Sequence, residues 1–135
     1  MKIQRLYHFY AAHRNTALTD KCSRLHGHRY GVAVDVEVTS LTNGVGILFA
    51  DIDALLAPIM ARLDHRTLLH DQDPYTKDHG IADEAYVVPF PTSAEYLALH
   101  LLTLCRAALP QCVALHLQET DSSLITVTES DLHEW

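Results

Sequence analysis

The chain has 135 residues, 48% of them hydrophobic, and a formal net charge of -7 with its ten histidines neutral. That length suits one globular domain, residues 1–135, with a modest core. A net acidic chain lacks the basic footprint of a general nucleic-acid binder, no apolar run reaches the ~18 residues of a membrane helix, and Lys2, Gln4, Arg5 and His8 break up any signal-peptide core. Three cysteines (Cys22, Cys105, Cys112) in no framework spacing suit a reducing compartment, so a cytoplasmic protein without nucleic-acid or membrane partners is expected.

From about Lys2 to Ala12 the chain reads as a strand: Ile3, Tyr7, Phe9 and Ala11 share a face, His13 continues their parity, and Arg5 interrupts it. Between Arg14 and Tyr30 an acidic protein becomes locally cationic, with Arg14, Lys21, Arg24 and Arg29 against Asp20 alone. Such a field would draw an anionic small substrate. Inside it, Cys22-Ser23-Arg24-Leu25-His26-Gly27-His28 sets a thiol four residues ahead of two histidines spaced i, i+2. On an extended backbone both imidazoles point to one face, about 6 to 7 Å apart along the strand. His28 to Val38 then alternates cleanly, Tyr30, Val32, Val34, Val36 and Val38 opposing Arg29, Asp35 and Glu37, which predicts a half-buried antiparallel strand.

A turn at Leu41–Gly46 leads into an amphipathic helix from about Asp51, with Ile52, Leu55, Leu56, Ile59, Met60 and Leu63 on its apolar face. Pro58 inside it predicts a kink or a late start. Residues 70–91 carry Pro74, Gly80, Pro89 and Pro91 and read as an irregular loop. Thr92-Ser93-Ala94-Glu95 has the spacing of a capping box with Thr92 as N-cap, opening a second helix that buries Leu97, Leu101, Leu104 and Ala108 and stops at Pro110. Two strands, about Val113 to Glu119 and Leu124 to Thr128, complete the order ββααββ. The expected architecture is α+β: a four-stranded antiparallel sheet with two helices on one face, whose exposed edges a partner subunit could close.

Three histidines, His13, His26 and His28, would hold a zinc ion with a fourth position open, the pattern of a catalytic site. Cys22, beside Lys21 and Arg24, is the candidate base, since neighbouring cations favour thiolate. Asp64-His65 can form a pair only where the helix ends and the chain turns. Glu119 ends an apolar strand face in a carboxylate that needs a partner if buried. Each has a plainer reading: solvated imidazoles in a turn, an inert thiol, a helix-end acid beside an exposed imidazole, and a surface acid at a strand end.

These residues lie in motifs that occur together elsewhere. FxAAH at Phe9–His13, CxxxHGH at Cys22–His28, LDH at Leu63–His65, PTS at Pro91–Ser93 and ET at Glu119-Thr120 follow one another as in the 6-pyruvoyl-tetrahydropterin synthase superfamily. The three-residue gap between cysteine and the first histidine resembles its bacterial 6-carboxy-5,6,7,8-tetrahydropterin synthase branch, the queuosine-pathway enzyme. The resemblance leaves out about 70–90 and the last few residues. It implies a tunnelling fold assembled as an oligomeric barrel, a trimer or a dimer of trimers, and zinc on His13, His26 and His28. It further implies proton transfer by Cys22, a relay through Asp64 and His65 that a neighbouring subunit can supply, a pterin anchored by Glu119, and Thr92 and Ser93 near the ring. The implied activity converts 7,8-dihydroneopterin triphosphate to 6-carboxy-5,6,7,8-tetrahydropterin, acetaldehyde and triphosphate. The alternatives are a 6-pyruvoyl product after triphosphate elimination, or a non-catalytic zinc- or pterin-binding protein. Two departures stand out: Leu48 precedes Phe49 where many bacterial members carry Asp, and the 70–91 segment is longer than in compact members.

Overall fold

The computed structural model describes residues 1–135. Strand β1 (Lys2–His13) and strand β2 (His26–Glu37) form a long antiparallel pair. Helix α1 (Phe49–Leu63) follows, then β3 (Arg66–His70), a 3-10 turn (Pro74–Lys77), the four-residue α2 (His79–Ala82) and β4 (Ala85–Val88). Helix α3 (Ala94–Ala108) and strands β5 (Cys112–Thr120) and β6 (Ser123–Thr128) complete the domain. The sheet order is β4-β3-β1-β2-β5-β6.

The four-stranded antiparallel sheet with two helices is therefore corrected to a mixed six-stranded sheet with three. β3 runs parallel to β1, and β4 parallel to β3. Parallel neighbours need a crossover of a dozen or more residues, and residues 71–84, within the segment expected to be an irregular loop, provide it. β3 escapes an alternation test because Leu68 and Leu69, adjacent in sequence, are both fully buried, as befits a strand covered on both faces. β4 is only four residues long.

Alternation along β1 and β2 sends Phe9, Ala11, Tyr30, Val32, Val34 and Val36 into the core. α1 covers that face with Ile52, Leu56, Ile59, Met60 and Leu63, and α3 with Leu97, Ala98, Leu101, Leu102 and Cys105. Leu55, expected on the apolar face of α1, is exposed, and Leu104 and Ala108 of α3 are half-buried. Pro58 lies inside α1 without delaying its start at Phe49. The capping box is also corrected: Ser93, not Thr92, caps α3, its hydroxyl accepting from the Tyr96 N–H.

Arg5, which interrupts the apolar parity of β1, is accounted for by α1. Its guanidinium donates twice to Asp53, which also accepts from the Tyr7 hydroxyl at 2.7 Å. The Arg5 bonds hold the Asp53 carboxyl below the usual carboxylate range, as Arg14 does for Asp73. The unfolded chain therefore takes up protons on these acids first, as pH falls through about 4, and stability present above that pH is lost as pH drops through the lower folded values. Urea unfolding at pH 5 and pH 3 should show a lower midpoint at pH 3, and Asp53→Asn should make the decline shallower. A midpoint independent of pH would remove this role from the two pairs.

Candidate metal centre and its surroundings

The β1–β2 register pairs His13 with His26 and Ala11 with His28. All three histidines share the parity of the core residues, so their rings gather where the hairpin ends, with centroids 4.6, 5.1 and 4.9 Å apart pairwise. One ligand nitrogen from each lies within 4.8 Å of the others. Gly27, between the two ligands of β2, faces the other way, and a Cβ there would meet the Ala11 carbonyl oxygen at 3.3 Å.

Hydrogen bonds set the tautomers. His13 Nδ1 lies 2.6 Å from the Thr92 carbonyl oxygen, and His26 Nδ1 lies 2.6 Å from that of Arg24. A carbonyl only accepts, so Nδ1 carries the proton in both rings and Nε2 keeps its lone pair. Burial pushes the His13 and His28 pKa values down, which favours neutral imidazole, the form that binds metals. His13 Nε2 and His28 Nε2 are buried without a hydrogen-bond partner, although buried polar atoms ordinarily have one. Two buried ring nitrogens without a partner, within 4.8 Å of a third imidazole nitrogen, suit a zinc ion, and the donor set fits it.

A cavity of about 270 Å³ opens beside the cluster, lined among others by His13, His26, Cys22, Ser93 and Glu119. Cys22 sits in a 3-10 turn (Lys21–Ser23) capped by Asp20. Its thiol is pushed up by burial first and by Asp20 second, against a smaller opposing effect of Lys21. That reverses the expected thiolate bias from Lys21 and Arg24; a cation on the three imidazoles would work the other way. Glu119 occupies a bulge of β5 opposite β6, a feature that re-aims side chains. Its oxygens lie 3.4 Å from His28 Nε2 and 3.8 Å from His13 Nε2.

Asp64 and His65 are a true pair, as a helix end allows. Asp64 closes α1, and His65 takes a left-handed backbone with φ 59°. His65 Nδ1 lies 2.8 Å from Asp64 Oδ2, while Asp64 Oδ1 accepts the Tyr10 N–H at 2.9 Å. The Tyr10 bond first, and His65 second, hold the Asp64 carboxyl below its ordinary range. The pair does not line the cavity that holds Cys22 and Glu119: His65 lines another concavity with Tyr10, Arg29 and Arg66, at whose edge His28 also lies. Tyr10 and Arg29 have the opposite strand parity to the three histidines, so their side chains, and the His65 ring 5.9 Å from that of Tyr10, lie on the other face of the sheet from the clustered imidazoles.

Thr92 is fully buried and donates its hydroxyl to the Arg14 carbonyl oxygen at 3.1 Å. Arg14 is withdrawn from the expected cationic cluster, because its guanidinium forks onto buried Asp73 and lies 3.4 Å from the Tyr75 ring centroid. Neither Asp73 nor Tyr30 figures among the expected site residues. Tyr30 has a buried hydroxyl without a partner, and its ring packs edge-on against His13 and His28.

Known proteins share this arrangement's framework. The family model described as 6-pyruvoyl tetrahydropterin synthase matches residues 2–130. A protein of Halobacterium salinarum named probable 6-carboxy-5,6,7,8-tetrahydropterin synthase is 31% identical over 107 residues, 77% of this chain and 69% of that protein. A putative 6-carboxy-5,6,7,8-tetrahydropterin synthase of Archaeoglobus fulgidus is 35% identical over 52 residues, 38% of this chain and 44% of the relative. Among solved structures, an uncharacterised Wolinella succinogenes protein superposes with a TM-score of 0.83 at 21% identity, over 96% of this chain and 98% of its own. The Caenorhabditis elegans 6-pyruvoyl tetrahydropterin synthase gives 0.71 at 21% identity, over 95% and 94%. The structural likenesses establish the fold, and the match along nearly the whole sequence establishes the lineage: the chain belongs to the 6-pyruvoyl tetrahydropterin synthase family.

Proposed function

We propose that this chain is a zinc-dependent lyase that converts 7,8-dihydroneopterin triphosphate to 6-carboxy-5,6,7,8-tetrahydropterin, acetaldehyde and triphosphate, a step toward queuosine and related 7-deazaguanines. The observation that carries the reading is the convergence of three imidazoles beside a cavity that two of them, His13 and His26, line with Cys22 and Glu119. The names of the two archaeal relatives favour the 6-carboxy product. Residues 1–135 act as one domain in this reading, working in the cytoplasm as a trimer or a dimer of trimers.

His13, His26 and His28 would hold the zinc ion, which would supply Lewis acidity toward the substrate hydroxyls. Cys22 Sγ takes and returns the protons, for which its thiol must ionise against burial and Asp20. Glu119 offers two acceptor oxygens to the amino group and ring N–H of a pterin. Ser93 lines the cavity and contacts substrate, while the Thr92 hydroxyl is engaged by Arg14. Asp64 fixes the His65 tautomer, leaving Nε2 to exchange a proton. Because His65 and Cys22 of one chain line different cavities, the relay joins His65 of one chain to Cys22 of another. Assembly is then a condition of turnover.

Incubation with dihydroneopterin triphosphate and mass spectrometry should yield the 6-carboxy product with acetaldehyde; a 6-pyruvoyl product would place the chain in the other branch. Cys22→Ala and His65→Ala should each be inactive alone, whereas co-expressed mixed assemblies should regain part of the activity. Mixed assemblies as inactive as the single variants would overturn the shared site. Metal analysis should find about one zinc per chain, largely lost in His26→Ala and in His28→Ala. Full retention in both would remove the metal site. Glu119→Gln should weaken binding of triphosphate-free neopterin about ten- to a hundredfold, the loss of a charged hydrogen bond worth roughly 1.5 to 3 kcal/mol. Unchanged affinity, measured by calorimetry, would return Glu119 to a plain surface acid.

A further inference from the structure

Among the three histidines, His13 alone has its Nδ1 partner on a distant segment. His26 uses the carbonyl of Arg24, two residues away on its own loop, whereas His13 uses the carbonyl of Thr92, 79 residues away. A carbonyl so remote holds a ring still only if its own peptide is fixed. Two contacts fix it. The Thr92 hydroxyl binds back to the carbonyl of Arg14, the residue next to His13. The Arg14 side chain in turn makes a bidentate pair with Asp73, whose side chain is 2% exposed.

Asp73 is itself held from its own segment. Its Oδ1 accepts the Tyr75 N–H at 2.9 Å, its carbonyl accepts the Thr76 hydroxyl at 2.7 Å, and the Tyr75 ring lies under the guanidinium. A bidentate fork pairing planar guanidinium with carboxylate adds geometry to charge, which lysine cannot reproduce. A buried carboxylate also holds its partner firmly, because breaking such a pair leaves a charge uncompensated.

We propose that Asp73 and Arg14 are positioning residues for the metal centre, acting through Thr92 to hold His13 in its metal-binding tautomer and orientation. The crossover segment thereby raises metal affinity from outside the ligand set. This rests on the zinc reading above. Partners of ligating histidines commonly alter metal affinity about 10- to 100-fold when removed, and the Asp73 chain is the outer part of such a partnership.

The test uses the full chain stripped of metal and titrated with Co²⁺, reading the visible d–d absorption and the dissociation constant against a competing chelator. Asp73→Asn and Thr92→Val should each weaken Co²⁺ binding about tenfold or more and alter the absorption bands, with folding checked by circular dichroism. Thr92→Val exchanges the hydroxyl for a methyl of similar size and removes its bond to the Arg14 carbonyl, so it answers the question even if Asp73→Asn fails to fold. Glu84→Gln breaks the exposed Arg66–Glu84 pair on the same crossover and should leave affinity and spectrum as in the unaltered protein. A purely architectural role predicts lower urea stability in Asp73→Asn with the Co²⁺ constant unchanged; that result, or a folded Thr92→Val binding Co²⁺ normally, overturns the proposal. If the unaltered protein binds no Co²⁺, the metal reading itself fails and this inference with it.

Discussion

The register of the β1–β2 pair is the constraint on which the site depends. His13 opposite His26 is the last rung of a ladder that begins with Lys2 opposite Glu37. Strand side chains alternate with a period of two, so a slip of one residue would carry both β2 histidines to the solvent face. Locally the slip is opposed by Gly27, where a side chain would crowd the Ala11 carbonyl. The register is also held farther up the ladder, where Phe9 stacks on Tyr30 at 4.9 Å and the β2 valines pack beneath α1 and α3. The metal-binding geometry is thus a consequence of core packing, and the hydrophobic core and the candidate chemistry share one alternation.

The same alternation separates the two halves of that chemistry. Helices α1 and α3 cover the face bearing the three imidazoles, and the cavity with Cys22 and Glu119 opens at its end. Asp64 and His65 emerge on the other face because α1 must hand the chain to β3 beside β1. The left-handed residue at His65 makes that turn, its N–H bonding the Tyr10 carbonyl while Asp64 takes the Tyr10 N–H. The backbone economy of a helix-to-strand junction therefore fixes the acid–imidazole pair in place. In the proposed function, a reaction that uses both groups therefore draws them from two chains.

The sequence was legible where one periodicity acted alone. Strands β1, β2, β5 and β6 and helices α1 and α3 each bury one face, and their patterns marked them to within a few residues. β3 was not legible because a doubly covered strand shows no alternation, and β4 because four residues hold too little pattern. Those two omissions turned a mixed six-stranded sheet into a four-stranded antiparallel one. At the site, the three histidines gather as their spacing and parity suggested, and Cys22 and Glu119 lie beside them, Glu119 from a bulge that parity alone does not reveal. The thiolate bias of Cys22 did not follow from its neighbours in sequence, since burial and the capping Asp20 outweigh Lys21. Asp73 was hidden by its setting, one acid among five between residues 70 and 91. Its burial against Arg14, 59 residues away, is a tertiary fact.

That long-range pair also revises the electrostatic argument. Counting charges along residues 14–30 treats every arginine as available to a substrate, but a guanidinium forked onto a buried carboxylate has its charge largely offset by that partner. Arg14 contributes little field at the cavity for this reason, and Arg29 lies on the far side of the sheet with His65. Lys21 and Arg24 remain near Cys22 in sequence, with Asp20 opposing them. A single chain is thus less cationic around its cavity than its sequence suggests. If His65 of one chain meets Cys22 of another, Arg29 and Arg66 travel with it, because they line the same concavity. The groups that complete the proton relay would then also supply positive charge toward an anionic substrate, so assembly would serve binding and chemistry by the same contact.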